Sequence, residues 1–331
     1  MRGKTTRAAL VGASSVLAVG GLMAGFATAS AATVGQVSHK HAGKVTIAFV
    51  PGATGVGFYN AMEQGVKSQA AKYGWSTVYQ GSPNFAPASQ TPVVEAVCAR
   101  HPTALLVAPT DPVAMEPAVK RCMSEGVIVV TVDTGLSNRA GILAAITSDN
   151  LEGGAAAAKF VAQQMHGKGE VATLSLNATA TTQALRVEGF KKELKKFPHI
   201  SVVASEYTGQ SESTSESDAS ALMTSHSQIG GFFGAGEPNA EGAALAARGK
   251  HIVVVGYDAD PSAIQDLRSG LMSATVAQQP AKEGELGVID VHDALTGHKA
   301  AIKKSVQLPN VLITSADVRA GKDKQFYYPA G

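Results

Sequence analysis

The chain has 331 residues, of which 45% are hydrophobic and 16% are charged, the composition of an ordinary globular protein. Its formal net charge is +2, and Arg2, Lys4 and Arg7 supply three of the positive charges, so the chain without them is at −1. A charge this close to zero argues against binding to nucleic acid or to an anionic membrane surface. The roughly 300 residues beyond the amino-terminal segment suit two packed domains.

The amino-terminal segment 1–32 has the pattern of a secretory signal peptide. A basic head is followed by an apolar stretch over 8–26 and by the small residues Ala27, Thr28 and Ala29. Gly and Ser interrupt the apolar stretch, which argues against an uncleaved membrane anchor, and no Cys near the cleavage region could carry a lipid. We therefore expect a cleaved signal peptide over 1–32, a flexible leader over 33–43, and a periplasmic or secreted protein without a lipobox cysteine.

The predicted elements begin with an uncharged run over 45–50, which indicates a strand buried on both faces, as in a parallel sheet. Pro51 and Gly52 end this strand, and amphipathic spacing predicts a helix over 59–73. A strand, a glycine-rich turn and a helix in this order place the turn at the carboxyl end of a sheet strand. Open α/β sheets bind their ligands at that edge.

Two kinds of ligand suit this turn. Its glycines over 52–57 could seat a pyrophosphate at the amino terminus of the helix. A dinucleotide site also needs an acidic residue about 20 residues further on, and the next predicted strand, 76–80, carries none. The alternative is a loop whose adjacent Phe58 and Tyr59 face a polar small molecule, and this is the interpretation that we favour.

Strands and helices alternate along the rest of the chain, which predicts two doubly wound parallel-sheet lobes of the α/β class. In the first series the predicted strands are 45–50, 76–80, 104–108 and 127–132, and the helices are 59–73, 90–100 and 115–126. In the second series the strands are 171–176, 202–206, 231–233, 252–256 and 273–277, and the helices are 153–166, 183–197, 213–226, 239–248 and 261–269. A last helix over 281–295 is expected to return to the first lobe, and the cleft between the lobes is where both sets of strand ends meet.

The two cysteines, Cys98 and Cys122, each lie late in a predicted helix, and these helices flank the strand 104–108. Neighbouring crossover helices can lie on one face of a sheet, so the sequence predicts a disulfide in an oxidising compartment. Two buried free thiols are the alternative. A catalytic thiol is disfavoured because neither Cys follows a strand.

Seven segments, spread over most of the chain, match a known pattern; they are 47–50 with Phe58 and Tyr59, 109–111, 132–134, 148–154, 186–190, 256–258 and 277–278. In their order and spacing, the chain over 44–318 resembles the ribose-type periplasmic sugar-binding proteins of bacterial ABC importers. Segments 55–58 and 117–121 are also similar to the related autoinducer- and rhamnose-binding branch. The resemblance implies a type I periplasmic binding protein, with two lobes joined by a three-segment hinge.

We expect the chain to divide between the lobes in alternating pieces. The N-terminal lobe is predicted to comprise 44–148 plus 280–308, the C-terminal lobe 149–279 plus 309–320, and the tail 321–331. The hinges are expected near 147–149, 278–280 and 308–310.

The resemblance also implies a set of ligand contacts at matching positions. Phe58 and Tyr59 match an aromatic pair that stacks on a sugar ring, and we favour Phe58 as the ligand contact. Asp133 and Asp258 match carboxylates that accept hydrogen bonds from hydroxyl groups, and Gln278 matches a hinge amide. The full set of candidate ligand-binding residues is Phe58, Tyr59, Asp133, Thr134, Gln183, Glu237, Asp258 and Gln278.

The chain departs from the family pattern where small residues replace polar ligand contacts. These positions are Gly52, Val56, Ala184 and Gly236, while the nearby Arg186 is expected to have a structural role. Ribose and the autoinducer are therefore disfavoured. A larger or differently shaped sugar, a polyol or a related polar metabolite is expected instead.

The sequence thus predicts an exported, non-enzymatic solute-binding protein that closes on its ligand. The resemblance implies that it docks on the membrane permease of an ABC importer, and we expect a monomer that uses no cofactor, metal or nucleic acid. The alternative is an exported α/β enzyme acting on a small carbohydrate, in which Asp133 and Asp258 would imitate a glycosidase carboxylate pair. The chain has no G-x-S-x-G nucleophile elbow, and the export signal and the lack of a basic helix-turn-helix argue against a repressor sensor domain.

Overall fold

A computed structural model describes residues 44–329. The predicted signal peptide and leader lie outside the described residues. Within the described part of the chain, no helix combines the length and the apolar character needed to cross a membrane.

Strands and helices alternate through most of the chain, as predicted. The strands are β1 Thr46–Val50, β2 Ser76–Tyr79, β3 Ala104–Val107, β4 Ile128–Val132, β5 Ala145–Ser148, β6 Lys168–Ser175, β7 His199–Tyr207, β8 Ile229–Gly234, β9 Val253–Tyr257, β10 Ala274–Ala277, β11 Ser305–Leu308 and β12 Val311–Thr314. The α-helices are α1 Gly57–Lys72, α2 Pro87–Cys98, α3 Glu116–Ser124, α4 Asn150–Gln164, α5 Thr181–Leu194, α6 Glu212–Ser225, α7 Glu237–Ala246, α8 Pro261–Ser269, α9 Pro280–Leu295 and α10 Ser315–Arg319. Short 3-10 helices cover Lys299–Ala301 and Lys324–Phe326.

The strands form two six-stranded sheets. The first has the order β11-β5-β4-β3-β1-β2 and is parallel throughout. The second has the order β12-β10-β9-β8-β6-β7 and is parallel except for the antiparallel edge strand β12. Central strands such as β3 are buried at every residue, which explains their uninterrupted apolar sequence. We call each sheet, with the helices that cover it, the first and the second lobe, and this architecture confirms the predicted fold class.

The chain passes from one sheet to the other three times. The crossings lie between β5 and α4, between β10 and α9, and between β11 and β12. Helix α9 lies against α1 of the first lobe, as expected. Two glycines permit the close approach, because a Cβ at Gly65 would lie 2.0 Å from the Ala281 carbonyl oxygen and one at Gly284 would lie 2.4 Å from that of Met62.

The predicted disulfide between Cys98 and Cys122 is present, with the two Cα atoms 5.3 Å apart. Cys98 is the last residue of α2 and Cys122 lies in the last turn of α3. Both belong to one buried apolar cluster on a face of the first sheet. The expectation that these crossover helices share a face is therefore confirmed.

Four short elements are not predicted by the sequence patterns. Strand β5 falls where the sequence predicts only a crossing between lobes, and β11, β12 and α10 fall outside every predicted element. Each is only four or five residues long, too short to show a periodic pattern. The three strands are defined instead by pairing with strands that are distant in sequence, as in the register of Ser305 with Ala145.

Candidate ligand-binding site

The candidate residues converge where the carboxyl ends of both sheets meet. Asp133 directly follows β4, Asp258 follows β9 and Gln278 follows β10, while Phe58 and Tyr59 open α1 just after β1. Both aspartates have left-handed backbone conformations, with φ of 62° at Asp133 and 79° at Asp258. Such a conformation is unusual for a non-glycine residue, and it turns the chain sharply at the strand end.

The first lobe presents Asp133 on a buried hydrogen-bond network. The Tyr59 hydroxyl donates to Asp133 Oδ2 at 2.7 Å, and the Asp133 N–H donates to Glu283 Oε2 at 2.8 Å. The Ser148 hydroxyl donates to the other Glu283 oxygen at 2.9 Å. Glu283 belongs to α9, so the close packing of α9 on α1 places this second carboxyl group beneath Asp133.

Burial dominates the electrostatics of this network. Desolvation raises the pKa of Asp133 to about 6, although the Tyr59 hydrogen bond and the Arg186 charge act in the opposite direction. Burial, and then the charge of Asp133, raise the pKa of Glu283 well above its usual range. The same two causes raise the pKa of Tyr59, so its hydroxyl remains a donor at neutral pH.

The second lobe presents Asp258 with one oxygen already occupied. Asp258 Oδ1 accepts hydrogen bonds from Gln278 Nε2 at 2.6 Å and from the Tyr328 hydroxyl at 3.1 Å. Asp258 Oδ2 lies 3.9 Å from Arg186 Nη1, at the limit of an ion pair. Gln278 Oε1 is buried and has no hydrogen-bond partner within the described residues. One carboxylate oxygen and one amide oxygen are thus left to accept from a ligand.

Arg186 is held in place by its own lobe. Its Nε donates to Asn150 Oδ1 at 2.8 Å and its Nη1 donates to the Ala235 carbonyl at 2.9 Å. The guanidinium carbon lies 3.7 Å from the centre of the Tyr257 ring, a cation–π contact. Asn150 opens α4 and Arg186 lies in α5. These contacts fit the structural role expected for Arg186.

Aromatic side chains form one wall of the site. The Phe58 ring meets Tyr59 edge-on at a centroid distance of 5.2 Å and Tyr328 at 6.1 Å. Phe85, which the sequence analysis did not single out, covers Gly52, where an added Cβ would lie 2.4 Å from the Phe85 ring and from the Tyr59 hydroxyl. Gly52 therefore leaves room for Phe85 rather than for a larger ligand.

The remaining candidates lie around the edge of this arrangement. The Thr134 hydroxyl donates to the Pro109 carbonyl at 2.7 Å, and Gln183 Oε1 accepts from the Leu176 N–H at 2.7 Å. The Gln183 amide nitrogen occupies the space beside Gly236, 2.5 Å from the position of an added Cβ. Glu237 accepts from the Ser262 hydroxyl at 2.7 Å. The structure thus gives these three side chains protein partners, and their ligand contacts stay predictions.

A cavity of about 290 Å³ opens beside Asp133 and is lined from both lobes. Thr134 and Thr147 line it from the first lobe, and Asn150 and Thr181 from the second. Its size is close to the lower end of small-molecule sites. Of the candidate residues, Asp133 and Thr134 line this cavity, whereas Phe58, Asp258 and Gln278 are not among its lining residues.

Glu283, Phe85 and Tyr328 belong to this arrangement and were missed by the sequence analysis. Glu283 follows Pro280 in the first turn of a predicted helix, a position that by itself indicates helix capping. Phe85 lies in a proline-containing loop, and Tyr328 lies in the segment 321–331 that the sequence assigns to a tail. No local pattern marks any of the three as a site residue.

Comparison with known proteins gives a consistent result. Residues 47–299 match the family model described as "Periplasmic binding protein domain". The ribose import binding protein of Haemophilus influenzae is 29% identical over 274 residues, which cover 82% of this chain and 93% of that protein. The D-allose-binding periplasmic protein of Escherichia coli is 28% identical over 249 residues, covering 72% and 80%.

Solved structures agree with the sequence relatives. An ABC transporter solute-binding protein from Agrobacterium vitis, bound with α-D-tagatopyranose, has a TM-score of 0.82 and 32% identity, covering 86% of this chain and all of that one. A second protein from the same organism, with bound D-fucose, has a TM-score of 0.78 and 27% identity, at the same coverage of this chain. The chain is thus a solute-binding transport protein of the sugar ABC-importer type and not an enzyme. It belongs to the periplasmic binding protein domain family.

Proposed function

We propose that this protein is the exported binding component of an ABC importer and that its ligand is a neutral monosaccharide or cyclic polyol held between the lobes. One observation carries the proposal. Acceptor oxygens of Asp133 in the first lobe, and of Asp258 and Gln278 in the second, lie at the junction of the two lobes, beside the Phe58 ring. We call this junction the seam. Sugar hydroxyls donate to such oxygens, while the C–H face of a sugar packs on an aromatic ring.

The charge of the site supports a neutral ligand. Asp133 and Asp258 lie at the seam, whereas the nearby cation, Arg186, is already bonded to Asn150 and Ala235. A uronate or sugar phosphate would bring a further negative charge into this low-dielectric space beside two carboxylates. Anionic sugars are therefore expected to bind poorly.

The relatives narrow the choice of probe. Their names and bound molecules include ribose, allose, tagatose and fucose. Gly52 and Gly236 stand where the family pattern has polar side chains, and here the Phe85 ring and the Gln183 amide occupy the space beside them. Ribose itself is disfavoured because the polar contacts of the family pattern are missing at both positions, and the filled space does not by itself favour a larger sugar.

Binding is proposed to work by closure of two lobes, comprising 44–148 with 280–308 and 149–279 with 309–320, and with 321–331 as a tail. The strand membership of the two sheets supports this division, and the three crossings near 147–149, 278–280 and 308–310 supply the hinge. A ligand that contacts both lobes has a higher affinity for the closed state, so its binding shifts the population toward closure. We expect a monomer that then docks on the importer's permease.

A thermal-shift screen tests the proposal. The panel contains D-ribose, D-allose, D-tagatose, D-fucose and myo-inositol, with D-glucuronate as the anionic comparison. A ligand at about 100 times its Kd stabilises the fold by about 2.7 kcal/mol, so a neutral member is expected to raise the Tm by several degrees. No shift with any neutral member, or a shift with glucuronate alone, would contradict the proposal.

The second test removes one carboxylate. Asp258→Asn keeps the shape and tolerates the left-handed backbone, but weakens the acceptor, so the affinity for the panel sugar that binds should fall about 10- to 100-fold. Isothermal titration calorimetry measures the affinity, and Asp293→Asn, near the carboxyl end of α9, is the matched control. Unchanged affinity in Asp258→Asn would remove this residue from the site.

A further inference from the structure

The chain beyond α10 folds back toward the candidate site. Gly321 and Asp323 have left-handed backbones, with φ of 70° and 57°, and they reverse the direction of the chain. The Lys322 N–H donates to the Asp317 carbonyl at 2.9 Å, and the Tyr327 hydroxyl donates to the Lys322 carbonyl at 3.0 Å. These bonds give the segment a defined structure, which then leads to Tyr328.

Tyr328 is joined to the second lobe through both its backbone and its side chain. Its N–H donates to the Ala259 carbonyl at 2.9 Å, and its side chain is buried, with 6% of the residue exposed. Its hydroxyl donates to Asp258 Oδ1 at 3.1 Å and accepts from the Gln278 N–H at 3.0 Å. The single phenolic proton and a lone pair are both used, so the hydroxyl links the ends of β9 and β10.

The Tyr328 hydroxyl helps to fix the orientation of the Asp258 carboxylate. Asp258 lies at φ 79°, and Oδ1 is held from two sides, by Gln278 Nε2 and by the Tyr328 hydroxyl. With Oδ1 saturated, Oδ2 is the oxygen left for a ligand. The Tyr328 ring also meets Phe58 of the first lobe edge-on at 6.1 Å, so it extends across the seam.

We propose that Tyr328 is a positioning residue of the sugar site, which orients the Asp258 carboxylate and completes the aromatic wall when the lobes close. This inference rests on the proposed function, because it assumes that the seam is where the sugar binds. Burial, followed by the Asp258 charge, raises the pKa of the Tyr328 hydroxyl well above its usual range, and the group therefore remains a donor at physiological pH. Tyr328, within the segment that is otherwise a tail, is thus part of the binding apparatus.

The experiment compares two neighbouring tyrosines in the full chain. Tyr328→Phe removes the hydroxyl that contacts Asp258 and keeps the ring, while Tyr327→Phe removes a hydroxyl that contacts only the Lys322 carbonyl. Calorimetry with D-tagatose, D-allose, D-fucose, D-ribose and myo-inositol should show about tenfold weaker binding for Tyr328→Phe and unchanged binding for Tyr327→Phe. Both variants should melt within a few degrees of the wild type. A purely structural role of the Tyr328 hydroxyl would instead lower the Tm of Tyr328→Phe and leave its affinity intact.

A ligand-free measurement separates this inference from the proposed function. The Gln278 amide donates to the Tyr328 hydroxyl, so its hydrogen exchange, followed by NMR, should accelerate about tenfold or more in Tyr328→Phe and not in Tyr327→Phe. If none of the five probes binds the wild type, the proposed function fails, and the exchange rate alone decides whether Tyr328 orders this edge of the site. Equal affinities in wild type and Tyr328→Phe, tighter binding in the variant, or an unchanged Gln278 exchange rate would each overturn the positioning role.

Discussion

At the scale of single residues, the contact between the lobes requires a glycine at position 57. Gly57 is the first residue of α1, and a Cβ there would lie 1.8 Å from Asp260 Oδ1 of the second lobe. Asp260 precedes α8, makes no capping bond to it, and is 3% exposed. Any larger residue at position 57 would thus clash with the Asp260 side chain, and this clash exists only while the lobes are in contact.

The variant Gly57→Ala should separate folding from closure. Alanine raises helix propensity by about 1 kcal/mol relative to glycine, so the fold should survive, yet the Cβ obstructs the approach of Asp260. Affinity for the panel sugar that binds is expected to fall at least about tenfold by calorimetry. The double variant Gly57→Ala/Asp260→Ala, which frees the space, should recover most of that affinity. Wild-type affinity in Gly57→Ala would show that this contact is not part of the ligand-bound state.

At the scale of elements, the disulfide joins two helices that a short strand separates in sequence. Helices α2 and α3 lie on either side of β3 in the chain, and Cys98 and Cys122 close a loop with a sequence separation of 24. The bond constrains the unfolded chain, and it lies among buried side chains of the first lobe that include Leu105 and Val129. The disulfide therefore stabilises one lobe without contacting Asp133 or Asp258.

Removal of the disulfide should lower stability and leave binding intact. A loop of this length corresponds to about 3 kcal/mol, so Cys98→Ala/Cys122→Ala should lose about that much free energy of unfolding in a denaturant titration. Reductant should have the same effect on the wild type and none on the double variant, which serves as the control. A drop in sugar affinity comparable to that of Asp258→Asn would contradict the separation of the two features.

At the scale of the whole molecule, buried carboxyl groups determine how stability depends on pH. Burial is the largest cause in each case, and the raised pKa values are about 6 for Asp133, about 7 for Glu241 and about 9 for Asp260. A carboxyl group whose pKa is higher in the folded state stabilises the fold fully below its unfolded pKa of about 4. That contribution is lost as pH rises through the folded value, so the stability that these groups supply declines between about pH 4 and pH 9.

Asp260 contributes to the upper part of this window, because burial and then the charge of Glu237 raise its pKa to about 9. Asp260→Asn imitates the neutral carboxyl group, so the Tm of the variant should fall less than that of the wild type between pH 7 and pH 9. At the alkaline end the variant should gain on the order of 1 kcal/mol, measured by denaturant titration. Glu188→Gln, on the exposed face of α5, is the control and should follow the wild-type curve. Parallel curves for Asp260→Asn and wild type would mean that Asp260 is ionised throughout.

Local sequence patterns were enough to predict the alternation of strands and helices, the buried parallel strands, the cysteine pair and the strand-end positions of Asp133, Asp258 and Gln278. These features are local: apolar runs, turn residues and spacing encode them within a few neighbours. The surroundings of those positions depend on the packing of distant parts of the chain. Asp133 meets Glu283 across 150 residues of sequence and Asp258 meets Tyr328 across 70. Contacts of that range arise when helices pack and a chain end folds back, and no periodicity in the sequence records them.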